Sequence, residues 1–554
     1  MDSNPEIHLQ MAPIVMNLDS WRDLLIQTKY KSKLTKQILD YLINGVDIGI
    51  KPNHQTVRLC KNLKSARGKL NVAKLTSEMI KEVNLGRRAG PFKFVPFNNF
   101  QCSPIGTVAK KYTGKLRAIH HLSYPRDYSE TSINCRIEDI NCEYLKFKVV
   151  IDQVIALGSN CLLSKFDISE AFRYIRVRTD QQYCLGMIFQ GMFYYERVLP
   201  FGLKSAPRLF ELFATAINWF INKYGVKFVF HYMDDFICVS PPETAQRDYS
   251  ITIEIFKSLN IELSPDKLQP PANKIEFLGL IIDAARMEII LPEYKLLIYR
   301  AELGKLLDSR SRLISRPELQ SLIGKLAHAA NAIRKGSSFY QALLQLLRDH
   351  NRNDKSPIQL TQYAINDIKW WHRFISEWNG IGLIQPNINN FLSMDQHQLY
   401  TDACLTGMGG FFGGNQYVIH SWDTEELRLA FRVSKESMPF LELLALIHCI
   451  NIWKEQLRGK GLILLCDCEP VVKAINKGRS FDPGMMKLIR LYIYITNLYN
   501  IFIICKHIAG YSNVFADLLS RSTDNQEFLQ HPQLIGVPLL QQYIQPFPIM
   551  DWFN

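Results

Sequence analysis

The sequence predicts a multidomain α+β protein in which two strand-and-helix units flank an all-helical stretch. Three observations lead there. A chain of 554 residues that is 47% hydrophobic and 21% charged is globular and long enough for two or three folded units. Between Phe92 and about Pro292, β-branched and aromatic runs (Val226 to Phe230, Phe236 to Val239, Ile275 to Ile282) are separated by helical segments. From Tyr294 to Asp349 the apolar spacing through Leu319, Leu322, Ile323, Leu326 and Ala330, with basic residues on other faces, predicts consecutive helices.

In chain order, residues 1–90 combine an amphipathic helical pattern, Trp21 to Ile43, with basic stretches such as Arg58 to Lys74, and carry no recognisable motif. Residues 91–293 form the first α+β unit and 294–350 the helical one. A connection, 351–395, holds the polar break Asn351 to Ser356, a helix with Trp370 and Trp371, and the turn-rich Pro386 to Met394. A second α/β unit occupies 396–521, and 522–554, rich in Pro and Gln, reads as a tail or linker. There is no internal repeat.

Composition narrows the partners. A net charge of +13 favours polyanions, whose phosphates release counterions on binding. The twelve cysteines lack paired C-x-x-C spacing and read as reduced, mostly core thiols. No run approaches the roughly 18 apolar residues of a membrane span, and Met1 to Gln10 has neither a basic start nor an apolar core, which predicts an intracellular protein of cytoplasm or nucleus.

The sharpest local feature is His231-Tyr232-Met233-Asp234-Asp235-Phe236, two adjacent acids interrupting an apolar stretch and placed at the tip of a hairpin. Alone, the pair is turn chemistry. Upstream, however, Leu162 to Asp167 is an apolar strand that ends in a third acid and leads through Ile168 to Phe172 into a helical turn. Three carboxylates at strand ends repel one another unless divalent cations neutralise them. Magnesium takes hard oxygen ligands, with Mn2+ as the alternative ion. Two such ions about 4 Å apart activate a hydroxyl and stabilise a leaving pyrophosphate, which is nucleotidyl transfer.

At these residues the chain resembles reverse transcriptases. Tyr232-Met233-Asp234-Asp235 is similar to their Y-x-D-D box, Phe166-Asp167-Ile168-Ser169-Glu170-Ala171-Phe172 to their first metal-binding motif, and Leu199 to Pro207 to their L-P-x-G-x-x-x-[AS]-P segment. In that last segment Gly202 permits close backbone approach, Ser205 can cap, and Pro207 can start a helix with an apolar face of Phe210, Phe213, Ile217 and Phe220. The resemblance implies a right-hand polymerase: fingers, a ferredoxin-like palm bearing Asp167, Asp234 and Asp235, and a helical thumb. It implies nucleotide contacts at Ile168, Ala171, Phe172 and Gly202, with Phe172 excluding a 2′-hydroxyl. A fingers loop, Lys110 to Arg117, would clamp the triphosphate through Lys110 and Arg117, with Lys111 nearly as well placed. Phe277-Leu278-Gly279 resembles the primer grip.

A second set of acids follows. Leu399 to Asp402 is a strand ending in an acid, returned by Gly407 to Phe412; Glu442 stands alone in the apolar helix Phe440 to Ile447; Asp467 closes the strand Leu462 to Cys466; and Asp517 lies in the short helix Val514 to Leu519, after the strand Ile501 to Cys505. Singly these would be surface acids. In this order they resemble the D-E-D-D set of an α/β ribonuclease H-like domain, again a two-magnesium site, with His507 matching that family's mobile histidine and Cys468 standing where many relatives have Asn.

The partners so implied are an RNA template, a DNA primer, an RNA–DNA hybrid and deoxynucleoside triphosphates. Ile119 to Pro125, Leu322 to Ala330 and His507 to Arg521 look like the polymerases of DIRS-like retrotransposons, which integrate with a tyrosine recombinase; retroviral-type and pararetroviral polymerases are alternatives. No Asp-[Ser/Thr]-Gly protease motif, Cys/His knuckle or recombinase is visible. Two competing readings are a domesticated or decayed copy that only binds nucleic acid, against which all seven acids stand, and an RNA-synthesising polymerase, disfavoured by Phe172.

Overall fold

A computed structural model describes residues 11–51, 57–109, 114–125, 132–138, 142–351, 356–384, 397–424, 426–428, 437–521, 526–531 and 541–542. The chain divides into two compact units: residues 1–153 with 161–275, and residues 276–554 with 154–160.

In the first unit, α1 (Leu18–Gln27), α2 (Ser32–Asn44) and α3 (Lys69–Asn84) precede β1 (Arg88–Phe92), β2 (Ile105–Ala109) and β3 (Leu116–His120); α4 (Phe147–Leu157) runs across a unit boundary. Then come β4 (Leu162–Asp167), β5 (Gly186–Phe189), β6 (Met192–Glu196), α5 (Ala206–Lys223), β7 (Val229–Tyr232), β8 (Asp235–Ser240), α6 (Pro242–Ser258) and β9 (Gln269–Ala272). The sheet that carries the acids has the order β7-β8-β4-β9, antiparallel throughout. With α5 between β4 and β7, and α6 between β8 and β9, the succession is β-α-β-β-α-β, the split-βαβ topology. Apolar residues of this sheet, Phe166 and Phe236, share a buried core with Phe210, Phe213, Ile217 and Phe220 of α5 and with Ile255 and Phe256 of α6.

That core extends into the N-terminal helices. Trp21 of α1 meets Phe213 and Phe220 edge-on, with ring centroids 5.6 and 5.5 Å away. Ser205, expected to cap α5, occupies the N-cap place but makes no cap hydrogen bond, because its backbone is already helical; its hydroxyl is buried without a partner among the described residues. Beside this sheet stand a three-stranded one, β1-β6-β5, and the β2-β3 hairpin.

The second unit begins within β10 (Lys274–Phe277), followed by β11 (Leu280–Asp283) and β12 (Glu288–Ile290). The apolar run Ile275 to Ile282 is therefore a hairpin and not one strand: Leu278 and Gly279 both adopt positive φ, 49° and 75°, and turn the chain. The helices α7 (Glu293–Asp308), α8 (Arg316–Ala329), α9 (Gln341–Asp349) and α10 (Gln362–Glu377) follow, with the short strands β13 (Leu313–Ile314) and β14 (Ile358–Gln359) paired together and β15 (Ile381–Leu383) closing the order β10-β11-β12-β15. A Ser315/Glu318 capping box starts α8.

The last part of the unit is a mixed sheet. β16 (Gln398–Ala403), β17 (Gly407–Phe412) and β18 (Gln416–Ser421) form an antiparallel meander; α11 (Ser437–Trp453) leads to β19 (Gly461–Cys466), and α12 (Glu469–Lys477) and α13 (Pro483–Leu498) lead to β20 (Phe502–His507). β19 lies parallel to β16, and β20 parallel to β19. After α14 (Val514–Arg521) and α15 (Gln526–Leu529), β21 (Gln541–Gln542) pairs with β18, giving the order β20-β19-β16-β17-β18-β21. Phe528 is buried against Phe411, Tyr417 and Leu519.

All twelve cysteines are free, and seven of them, Cys102, Cys161, Cys184, Cys238, Cys449, Cys466 and Cys505, are buried. Among the described residues no helix is long and apolar enough to cross a membrane.

Two candidate active sites

In the first unit Asp167 ends β4 and Asp235 begins β8, and the two are direct register partners. Asp234 stands in the two-residue turn from β7, beside Met233 at φ 55°, a left-handed conformation that a non-glycine residue adopts only when its surroundings enforce it. The hairpin and a hydrogen bond from Ile168 N–H to the Asp234 carbonyl (3.0 Å) do so. Sequence and turn chemistry together thus gather the three acids at one end of the sheet.

Their charges are unequal. Burial pushes the Asp167 carboxyl up, but hydrogen bonds from Lys267 Nζ (2.8 Å) and Ser264 Oγ (2.7 Å) outweigh it and hold the group below its usual range. Asp234 is raised by burial and by the Asp167 charge. Asp235 is pushed up to about 6, mainly by burial, then by Asp167 and Asp234 and against the pull of Lys165, which lies 3.3 Å away. Lys267, just before the edge strand β9, escapes sequence reasoning because a lysine in a Pro-bearing turn reads as a solvated charge.

The residues after Asp167 are held from behind. Ile168 and Ala171 are buried. Phe172 packs on Phe201 and Phe210, with centroids 5.3 and 5.8 Å apart. Next to it Arg173 is buried and ion-paired with Glu82 of α3 and, at 2.8 Å, with Glu196 of β6, which also binds Arg88. Burial raises Glu196, but Arg173 and Arg88 overcome this and hold it down at about 2. Glu170, at φ 51°, is gripped by Lys81 and Arg87. Nothing in the sequence pattern of residues 1–90 marks Glu82 as a buried partner.

Gly202 has φ 100°, and a Cβ there would lie 3.0 Å from the His120 carbonyl, so backbone alone fits. Arg117 is exposed on β3. Lys110, with Lys111, falls outside the described residues. In the second unit the Phe277 ring is fully buried, and the carbonyls of Leu278 and Gly279 accept hydrogen bonds from His328 Nε2 (3.0 Å) and Lys295 Nζ (2.6 Å), fixing the turn to α8 and α7.

The second cluster draws on four elements. Asp402 sits near the end of β16, Asp467 just after the parallel β19, Glu442 in α11 and Asp517 in α14. The sheet order makes β16 and β19 neighbours, and α14 reaches them because β17 is glycine there: a Cβ on Gly409 would lie 2.4 Å from Leu519 Cβ. Asp402 is 5% exposed and Glu442 7% exposed. Ser520 Oγ donates to Asp402 at 2.5 Å, yet burial, with Asp467 and Asp517 adding repulsion, pushes Asp402 up to about 6. Burial, then Asp402 and Asp467, push Glu442 up to about 9, and its Oε2 is buried without a hydrogen-bond partner among the described residues. Asn513 Nδ2 donates to Asp467 at 3.4 Å, and Arg521 Nε to Asp517 at 2.8 Å. His507, exposed at the end of β20, lies with Nε2 3.0 Å from the Asp467 carbonyl. Cys468 is half-buried and occupies the N-cap position of α12.

Both clusters are sites that ask for positive charge, since buried carboxylates raised by one another's field are stabilised by a cation.

Known proteins bear on the first cluster. The sequence model of the family described as "Reverse transcriptase (RNA-dependent DNA polymerase)" matches residues 108–282. The chain is 26% identical over 372 residues to "Polyprotein P3" of Commelina yellow mottle virus, covering 66% of this chain and 18% of that protein. It is 26% identical over 378 residues to the "Enzymatic polyprotein" of Carnation etched ring virus (65% of this chain, 51% of the relative), and 24% over 503 residues to "Transposon Tf2-3 polyprotein" of Schizosaccharomyces pombe (88% and 33%). It therefore spans between 18% and 51% of the length of these relatives. Among solved structures, a foamy viral protease-reverse transcriptase in complex with double-stranded DNA aligns at 13% identity with a TM-score of 0.44, over 89% of this chain and 82% of that one. By sequence, residues 108–282 match a reverse transcriptase domain, in a chain similar to viral and retrotransposon polyproteins.

Proposed function

We propose that the chain is an RNA-directed DNA polymerase with an attached ribonuclease H, serving the replication of a retrotransposon. The observation that carries this reading is the pair of separate acid clusters, in which burial and neighbouring carboxylates raise Asp234 and Asp235 in the first and Asp402 and Glu442 in the second. The split-βαβ sheet supports a palm within fingers and palm at 91–293, helices α7 to α9 a thumb at 294–350, and the mixed sheet a nuclease at 396–521 after a connection at 351–395.

In the polymerase site Asp167, Asp234 and Asp235 would hold two magnesium ions, and in the nuclease site Asp402, Glu442, Asp467 and Asp517 would hold two more. Bound there, magnesium lowers the pKa of an attacking hydroxyl or water and neutralises charge on the leaving oxygen. The protein supplies the rest. Lys267 and Lys165 keep Asp167 and Asp235 oriented and partly neutralised. Arg117, with Lys110, would meet the triphosphate of a deoxynucleotide by charge-assisted hydrogen bonds. Phe172, fixed by Phe201 and Phe210, would press on the sugar and reject a 2′-hydroxyl. The Leu278-Gly279 turn, anchored by His328 and Lys295, would support the primer end. His507, whose Nε2 lies 3.0 Å from the Asp467 backbone carbonyl, would exchange a proton there. RNA template, DNA primer and RNA–DNA hybrid are the partners, bound through phosphates by a chain of net charge +13. The likeness of Ile119 to Pro125, Leu322 to Ala330 and His507 to Arg521 to DIRS-like polymerases supports an element of that kind, with retroviral-type and pararetroviral polymerases as the alternatives.

The deciding experiment measures primer extension on an RNA template and cleavage of an RNA–DNA hybrid by the same preparation. Asp234→Asn should abolish extension and spare cleavage, and Glu442→Gln the reverse. Loss of both activities in each folded variant overturns the two-site reading.

A further inference from the structure

A second group of metal-ligating side chains lies in the mixed sheet, and it uses none of the acids above. His420 comes from β18, His448 from α11, and Glu426 from the segment after β18. Sequence reasoning passes over them because they are spread across 29 positions and share no motif spacing. The fold brings their donor atoms within 4.8 Å of one another. His420 Nε2 lies 3.0 Å from Glu426 Oε2, and His448 Nε2 lies 3.3 Å from Glu426 Oε1. The two imidazoles stack at 5.1 Å.

These separations suit one small ion. A tetrahedral zinc ion with bonds of about 2.0 to 2.2 Å holds its ligands about 3.3 Å apart. Two imidazole nitrogens, each facing a different oxygen of one carboxylate, are a donor set zinc takes. Oxygen-seeking magnesium is the poorer match. The set is also oriented from outside. Asp423 N–H donates to Glu426 Oε2 at 3.0 Å while Glu426 N–H donates to Asp423 Oδ1 at 2.7 Å, which fixes the carboxylate. The Trp422 ring, tied by its Nε1 to the Cys404 carbonyl at 2.8 Å, stands 5.6 Å from the His420 ring and 6.1 Å from that of His448. The side chains of Glu426 and His448 are buried, whereas that of His420 is 32% exposed and opens the group to solvent.

We propose that His420, Glu426 and His448 form a zinc site that fastens the segment after β18 to α11, separate from the magnesium-type acid clusters. Zinc bound there stabilises the folded state and does no chemistry on nucleic acid.

The test uses the full chain, stripped with a chelator and returned to buffer with excess magnesium, which occupies the oxygen-only sites. Zinc content after gel filtration should be one equivalent higher in wild type than in His420→Asn or Glu426→Gln, and the variants should bind zinc about 100-fold more weakly or worse. Zinc should raise the denaturation temperature of wild type but not of the variants. Cobalt(II) provides a second readout that needs no variant: tetrahedral coordination with nitrogen ligands gives strong visible absorption in wild type. Equal zinc content in all three proteins overturns the site, as does cobalt-loaded wild type without that absorption; in either case the three side chains are only a hydrogen-bonded core cluster.

Discussion

The two acid clusters meet the same electrostatic problem in different ways. In the first unit the acids lie on adjoining strands of one sheet, and protein cations answer them: Lys267 on Asp167, Lys165 on Asp235. In the second, the acids come from two strand ends and two helices; Arg521 answers Asp517, Asp402 is met by a hydroxyl, and Glu442, in an apolar helix, faces the carboxylates of Asp402 and Asp467. A cluster whose buried acids have their own lysines should tolerate the absence of metal better than one in which Asp402 and Glu442 have none.

The largest expected effect separates the clusters by activity. Removing one carboxylate from a two-ion site should lower turnover by about 100- to 1000-fold. Asp234→Asn should do so for RNA-templated extension alone and Glu442→Gln for hybrid cleavage alone, measured as initial rates under saturating magnesium.

Next comes the support behind each site. Behind Asp167 stands a buried ionic network, Glu82, Arg173, Glu196 and Arg88, and breaking such a network by removing one partner costs about 3 to 5 kcal/mol. Glu82→Gln should therefore lower the chemical denaturation midpoint and weaken extension while hybrid cleavage per folded molecule persists. An unchanged midpoint would show that Arg173 finds water or another partner, and that α3 does not hold the Asp167 loop.

The pH dependence of the metal-free protein sharpens the contrast. Glu442 has its pKa raised from an ordinary 4.5 to about 9, so the folded state binds that proton more tightly than the unfolded chain. The resulting stability is fully present below pH 4.5 and is lost as pH rises towards about 9. Asp235 and Asp402, raised from 3.8 to about 6, have lost theirs by about pH 6. Without metal, unfolding free energy should thus keep falling between about pH 7 and 9, by on the order of 1 kcal/mol or more. Glu442→Gln should flatten that slope and Asp235→Asn should not. Magnesium added to wild type should flatten it too.

Much of this was legible in the sequence where a pattern is local. Asp234 and Asp235 interrupt an apolar hairpin, and the four acids of the second set each sit on an element that its own periodicity predicts. What stayed hidden depends on distant partners. The primer-grip resemblance implies a glycine turn at Phe277-Leu278-Gly279, whereas the apolar run Ile275 to Ile282 by itself reads as one strand, because Leu278 lacks the turn chemistry of Asn or Asp. Glu82 and Arg173 look like surface charges until the fold buries them against each other across 91 positions. Lys267 lies 100 positions from Asp167, and His420 and His448 belong to different elements. Residues 11–50 carry no motif, yet Trp21 completes the core under the acid-bearing sheet.

The smallest expected effect concerns choice of substrate. Phe172 packs on Phe201 and Phe210, so its ring is held where it is by two other rings and, in the proposed role, would not yield to a bulkier sugar. Phe172→Ala opens that space and also costs core packing, about 3 to 5 kcal/mol for a fully buried ring. A rate alone would confuse the two consequences. The ratio of deoxynucleotide to ribonucleotide incorporation cancels any loss of folded enzyme, and it should drop by about tenfold or more, the worth of one steric contact in discrimination. Hybrid cleavage by the second cluster should be unaffected per folded molecule. If the ratio holds at its wild-type value while the protein is merely less stable, Phe172 is a core residue of the first unit, and selectivity at the first cluster is set elsewhere.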